Sequence, residues 1–395
     1  MKRLWLFLVV SIAAASLTLS ACGGGGGGGA PDADGDGLNA NVDFNDNDAT
    51  VLFETVAVQA QAGGPLSGTA TGGTSFSSAS AVSNANASGT FVVGVRDKAD
   101  GTVQASLWSI NTADALAPAV VQAVVDLNDG VPGGFSAAYD INDAGAIVGE
   151  ATSAGSQFLP MLWTDKDAVG FSIGVGATDA GGAAYSINSA GLIVGEVAAA
   201  DGSTSAAFWQ VGAGNTITGP TLLPATGVTA TSSSAYSIDD QGNVAGEVTV
   251  AGIAHAVHWK IIAGADPVFT DLFDSASESA SVAFDANLDG TVAGEYTNLA
   301  GTKATSWILT GGVVVRGDNL GPDSTTSTVY ALSESAATQM VGTVGTAAAL
   351  WDSRTTNPLN FQNLTAATDA QAHDLNEEGV VVGTADNQVF VTLVR

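Results

Sequence analysis

Cysteine is almost missing from this chain of 395 residues. There is one, Cys22, so no internal disulfide can form and redox chemistry has no substrate. Histidine is nearly as scarce. His255, His258 and His373 are too few for a transition-metal site, and the first two stand three apart on an expected strand, on opposite faces. Basic residues number 10 against 39 acidic, a formal charge of −29. A surface of that sign repels phosphate backbones, which excludes nucleic acid as a partner. Capped amphipathic helices are missing too, and short strands divided by turn residues take their place.

What the chain has in abundance is a repeat. Ala184-Tyr-Ser-Ile-Asn-Ser-Ala-Gly-Leu-Ile-Val-Gly-Glu196 recurs as AYDINDAGAIVGE at 138–150, AYSIDDQGNVAGE at 235–247 and AFDANLDGTVAGE at 283–295. Looser copies lie at 372–383, 329–342 and 81–94. The final glycines, Gly94, Gly149, Gly195, Gly246, Gly294, Gly342 and Gly383, follow one another at 41 to 55 residues. That is close to the roughly 40–50 residues of a propeller blade. In the third copy the expected strands are 184–188, 192–197, 206–211 and 216–223, with a turn at 189–191.

Tryptophan keeps the same beat. Trp108, Trp163, Trp209, Trp259, Trp307 and Trp351 fall one per unit in the third strand, and Phe390 takes that place in the last. An aromatic at that rhythm is a core wedge between neighbouring blades. The last unit shows three strands, while Val51 to Val58 is a β-branched run with no unit of its own. The expected fold is therefore all-β, a β-propeller of seven four-stranded blades spanning 51–395 and closed by that N-terminal strand, which removes exposed edges.

The units resemble the HAF family of bacterial extracellular repeats, best at Ile187-Asn188, Val194-Gly195 and His255-Ala-Val-His258-Trp259, over roughly 80–395. Most units lack the motif histidine. The resemblance implies an exported, repetitive β-protein and no established chemistry.

The N-terminus reads as an address. Met1-Lys-Arg and the apolar run Leu4 to Ala15 form a signal peptide over 1–21. Leu19-Ser-Ala-Cys22 resembles a bacterial lipobox, which implies cleavage before Cys22, acylation there and attachment to a membrane through the lipid. Several acyl chains on one residue give stable anchoring. Gly23 after the cut implies the outer membrane or cell surface of a Gram-negative bacterium. Seven glycines, Gly23 to Gly29, make a tether within 22–31.

The segment 32–50 carries a calcium pattern. Asp32, Asp34, Asp36 and Asp43 occupy loop positions one, three, five and twelve, with Gly37 at the sharp turn and the Leu38 carbonyl as a further ligand. A second, partial pattern at Asn45, Asn47 and Asp48 lacks the glycine. The segment resembles thrombospondin type 3 repeats, which implies calcium as cofactor and a stalk stiffened by it.

Chemistry is harder to find. Gly170-Phe-Ser172-Ile-Gly174 fits a nucleophile-elbow pattern without the strand–turn–helix setting it needs. Glu150, Glu196, Glu247 and Glu295 follow the repeat glycine in four successive units. They form either a ring facing the central channel, able to hold a cation, or strand ends in solvent, and the second is the favoured expectation. The main reading is a non-catalytic, monomeric, lipid-anchored envelope propeller that binds a protein, glycan or matrix partner. The alternative is an envelope polysaccharide hydrolase or lyase with carboxylates at one mouth of the channel.

Overall fold

The computed structural model describes residues 53–56, 76–85, 89–98, 101–111, 120–130, 134–152, 157–310, 313–317, 320–321, 325–334, 339–351, 358–360 and 367–394. They form a seven-bladed β-propeller of four-stranded antiparallel sheets. Blades 1 to 6 are continuous in sequence, at 77–126, 136–172, 181–222, 230–271, 280–316 and 327–360. Blade 7 joins 370–394 to a strand from the other end of the chain: Phe53–Val56 pairs antiparallel with Gln388–Val394. The expected ring closure is present. The sole helical element among the described residues is a three-residue 3-10 turn, Ala213–Asn215, and none of their helices is long and apolar enough to cross a membrane.

In blade 3 the strands are Gly181–Ile187, Leu192–Ala198, Thr204–Val211 and Ile217–Leu222, each within three residues of the expected bounds. The first strand of each blade is innermost. Every innermost strand carries a register shift at an equivalent position, occupied in blades 1 to 7 by Ser80, Tyr139, Tyr185, Tyr236, Phe284, Tyr330 and His373, and blade 4 has a second shift between Ala230 and Ser232.

This bulge explains the repeat glycine. Gly195 lies opposite Ala184, beside the bulge, and a Cβ built on it would overlap the carbonyl oxygen of Ala183. Its six counterparts meet the same backbone oxygen in their own blades. Backbone cannot yield as a side-chain tip can, so only glycine fits.

Seven apolar clusters fill the seams between blades, each holding one of the seven repeat aromatics. The tryptophans are fully buried and Phe390 is nearly so. Four of their indoles also hydrogen-bond across the seam to a carbonyl just beyond the outer strand of the preceding blade. Trp163 Nε1 donates to Asn128 O (2.9 Å), Trp209 to Gly174 O (3.0 Å), Trp259 to Pro224 O (2.6 Å) and Trp351 to Leu320 O (2.5 Å). A polar edge on a large apolar wedge thus sets the register between blades as well as filling space.

Candidate functional site: an acidic mouth above an aromatic collar

The bulge also builds the centre of the molecule. Tyr139, Tyr185, Tyr236, Phe284, Tyr330 and His373 contact one another in sequence around the axis, with ring centroids 5.5 to 6.0 Å apart. They form a collar interrupted at blade 1, where Ser80 holds the equivalent place. His373 belongs to the collar, its Nδ1 lying 2.6 Å from Ala79 O.

Above the collar is a cavity of about 340 Å³. The residue after each bulge lines it, and in five of the seven blades, all but those with Ala81 and Ala331, its side chain reaches to the next blade. Asp140 Oδ2 accepts from Ile187 N (2.8 Å) and Ser186 Oγ (2.7 Å); Asp374 Oδ2 accepts from Val82 N (2.8 Å); Asp285 Oδ2 accepts from Leu332 N (2.8 Å). Where the residue is Ser186, its hydroxyl takes Ile238 N (3.3 Å). These N–H groups lie on the inner edge of the sheets, where no further strand can pair with them, so the carboxylates do what a neighbouring strand would.

Two residues on, asparagine makes a second girdle. Asn142, Asn188, Asn287 and Asn376 each cap their own turn through Oδ1 and donate Nδ2 to the equivalent carbonyl of the next blade, at 2.9 to 3.1 Å. Asp239 has no amide to offer, and Asn243 Nδ2 spans that seam to Asn287 O instead (3.4 Å). The exposed Asp143, Asp240 and Glu377 follow this girdle and form the rim.

The charge is one-sided. No lysine or arginine is among the described residues that line the cavity, while Asp140, Asp285, Asp374 and Glu334 line its wall. Burial drives the Asp374 carboxyl well above the usual range, with Asp140 and Asp285 pushing the same way. Burial likewise raises Glu334, to about 9, assisted by Asp285, Asp239, Asp240 and Glu377. Glu334 Oε2 is buried with no hydrogen-bond partner.

The four repeat glutamates lie on the other side of the collar, and none of them lines the cavity. The expectation that they end their strands in solvent is wrong. Glu150 and Glu196 are 1% and 5% exposed, because the collar and the next blade cover the position. Tyr139 Oη donates to Glu150 (2.8 Å), Tyr236 Oη to Glu247 (2.9 Å), Ser234 Oγ to Glu196 (2.6 Å) and Thr328 Oγ1 to Glu295 (2.5 Å). Burial raises the pKa of Glu247 and Glu295. Glu247 Oε2 has no partner: the next blade presents Val282 where the Glu196 and Glu295 seams present Ser234 and Thr328.

The remaining sequence candidates fall apart from the mouth. His255 stacks on Phe273 and pairs with Asp271 (3.0 Å), while His258 turns to Asn243 (3.3 Å). Phe171–Ser172 is a two-residue outer strand, and no helix follows it. No group of three or more metal-ligating side chains is found among the described residues. Cys22, the calcium ligands Asp32, Asp34, Asp36, Leu38 and Asp43, and the second set Asn45, Asn47 and Asp48 lie outside the described residues.

No protein-family model matches this chain, and no curated protein sequence matches it either. Sequence reading missed Asp140, Asp285 and Asp374. The available signal was an acid directly after the repeat aromatic in three copies, but strand alternation places such neighbours on opposite faces, and only the bulge brings both to the axis.

Proposed function

We propose that this protein is a non-catalytic, lipid-anchored envelope propeller that captures its partner at the acidic mouth, displayed on a calcium-stiffened stalk. The observation that carries this reading is the axial cavity of about 340 Å³, walled by carboxylates and floored by the collar. Concave sites with a few convergent polar groups are where ligands bind. The wall carboxylates Asp140, Asp285 and Asp374 serve as fixed acceptors for inner-edge N–H groups. That role favours binding over acid–base turnover, which needs a carboxyl pair free to exchange protons. The lipobox-like segment at Cys22 and the acidic loop at 32–43 supply the anchor and the stalk.

The test is a thermal-shift screen of the full chain with calcium, a chelator, envelope polysaccharides and organic cations, run on wild type and on the rim variant Asp143→Asn/Asp240→Asn/Glu377→Gln. A ligand that binds the folded state raises Tm by mass action, about 2.7 kcal/mol of stabilisation at a hundredfold excess over Kd. The expected result is a ligand-induced shift that shrinks in the rim variant. Shifts indifferent to the rim, or depolymerisation of a polysaccharide, would overturn the reading.

A further inference from the structure

We infer that the mouth receives an N-alkylated ammonium group, seated above the collar and held by the acidic wall. This rests on the mouth being the binding site and names the chemistry it selects. The cavity has two unlike surfaces: aromatic carbon from Tyr139, Tyr185, Tyr236 and Phe284 at the floor, and carboxylates around it, with no lysine or arginine among the described lining residues. Anions are repelled by such a wall, and neutral sugars could meet it only through hydroxyl donors, without the net charge attraction that a cation gains.

A bare metal ion fits poorly. Calcium needs six to eight oxygens converging at one point, and the described residues contain no such group. Asp140, Asp285 and Asp374 already spend oxygens on backbone N–H groups of the next blade. An alkylated ammonium asks for less. Its charge is spread over methyl groups that pack on aromatic carbon, and it needs nearby negative potential rather than a coordination shell. A cavity of about 340 Å³ holds such a head with room for a substituent. Glu334 adds an acceptor whose Oε2 is buried and without a partner, in a place where a cation would favour its ionised form.

Choline, its neutral isostere 3,3-dimethylbutan-1-ol and ammonium chloride, titrated calorimetrically into the full chain at low salt, test this. Choline should bind on the order of tenfold more tightly than either control, as one charge–aromatic contact in a desolvated site allows. The rim variant should weaken choline several-fold and lose its salt dependence. Equal binding of choline and its isostere, or of choline and ammonium, would overturn the inference. Should a polysaccharide bind in a rim-dependent way while choline does not, the mouth is a site and the ammonium inference fails. Should nothing respond to the rim, both fail. Co-sedimentation with phosphatidylcholine vesicles, competed by free choline, would identify a lipid headgroup as the source; binding of free choline without co-sedimentation would identify a solute.

Discussion

Above the collar the carboxylates take backbone N–H groups, joined at Asp140 by the Ser186 hydroxyl; below it the glutamates take hydroxyls. The two acidic zones differ only in what surrounds them. Asp140, Asp285 and Asp374 compensate for sheet edges that cannot pair, and the space beside them stays open as a cavity. Glu150 and Glu196 are closed over by tyrosine and serine and form part of the packing. Acid in the same repeat lines an open cavity on one side and fills a seam on the other. Access decides, since charge is common to both.

The most damaging change removes both sides together. Gly195→Ala drives a Cβ into the Ala183 carbonyl at the bulge that organises collar, wall and glutamate. It should cost more than about 4 kcal/mol, the range of exceptional core substitutions, read as a fall in the urea midpoint. A change below 1 kcal/mol would mean the bulge relaxes freely.

Next comes pH. Glu334 titrates at about 9 in the fold, against an ordinary carboxyl value near 4.3. Between those values the folded state binds more protons than the unfolded chain, so its contribution to stability is full below about 4.3 and fades as pH rises toward 9. The raised carboxyls Asp374, Glu247 and Glu295 act in the same direction. Melting should therefore occur several degrees higher at pH 5 than at pH 8, and Glu334→Gln should flatten the slope. A slope unchanged in that variant would assign the effect to Asp374 and to the glutamates below the collar.

The smallest effect is a gain. Val282→Thr offers Glu247 Oε2 the hydroxyl that Thr328 gives Glu295, and should add about 1 kcal/mol, the net value of one hydrogen bond. Loss of stability on that substitution would show that the lower zone tolerates no further polarity.

Much of this was legible beforehand. The glycine spacing and the tryptophan beat gave the blade count, because each answers to a local requirement repeated seven times: a bulge that admits no Cβ and a seam that needs one large wedge. Val51 to Val58 was legible as the closing strand through its apolar, β-branched run, and Phe53–Val56 pairs as that reading requires. The mouth was not legible. Tyr139 and Asp140 sit side by side on a strand, and alternation would part them. The glutamates misled for a related reason: a charged residue recurring near a strand end reads as solvated, and the cover over these comes from the collar and the next blade.

The indole staples give the ring a direction. Each of the four reaches back 31 to 35 residues, to a carbonyl of the blade before it. Each of these four blades is therefore tied by its indole to the blade before it in sequence rather than to the one after. The row of blades becomes a circle only through Phe53–Val56, a strand far away in sequence that completes blade 7.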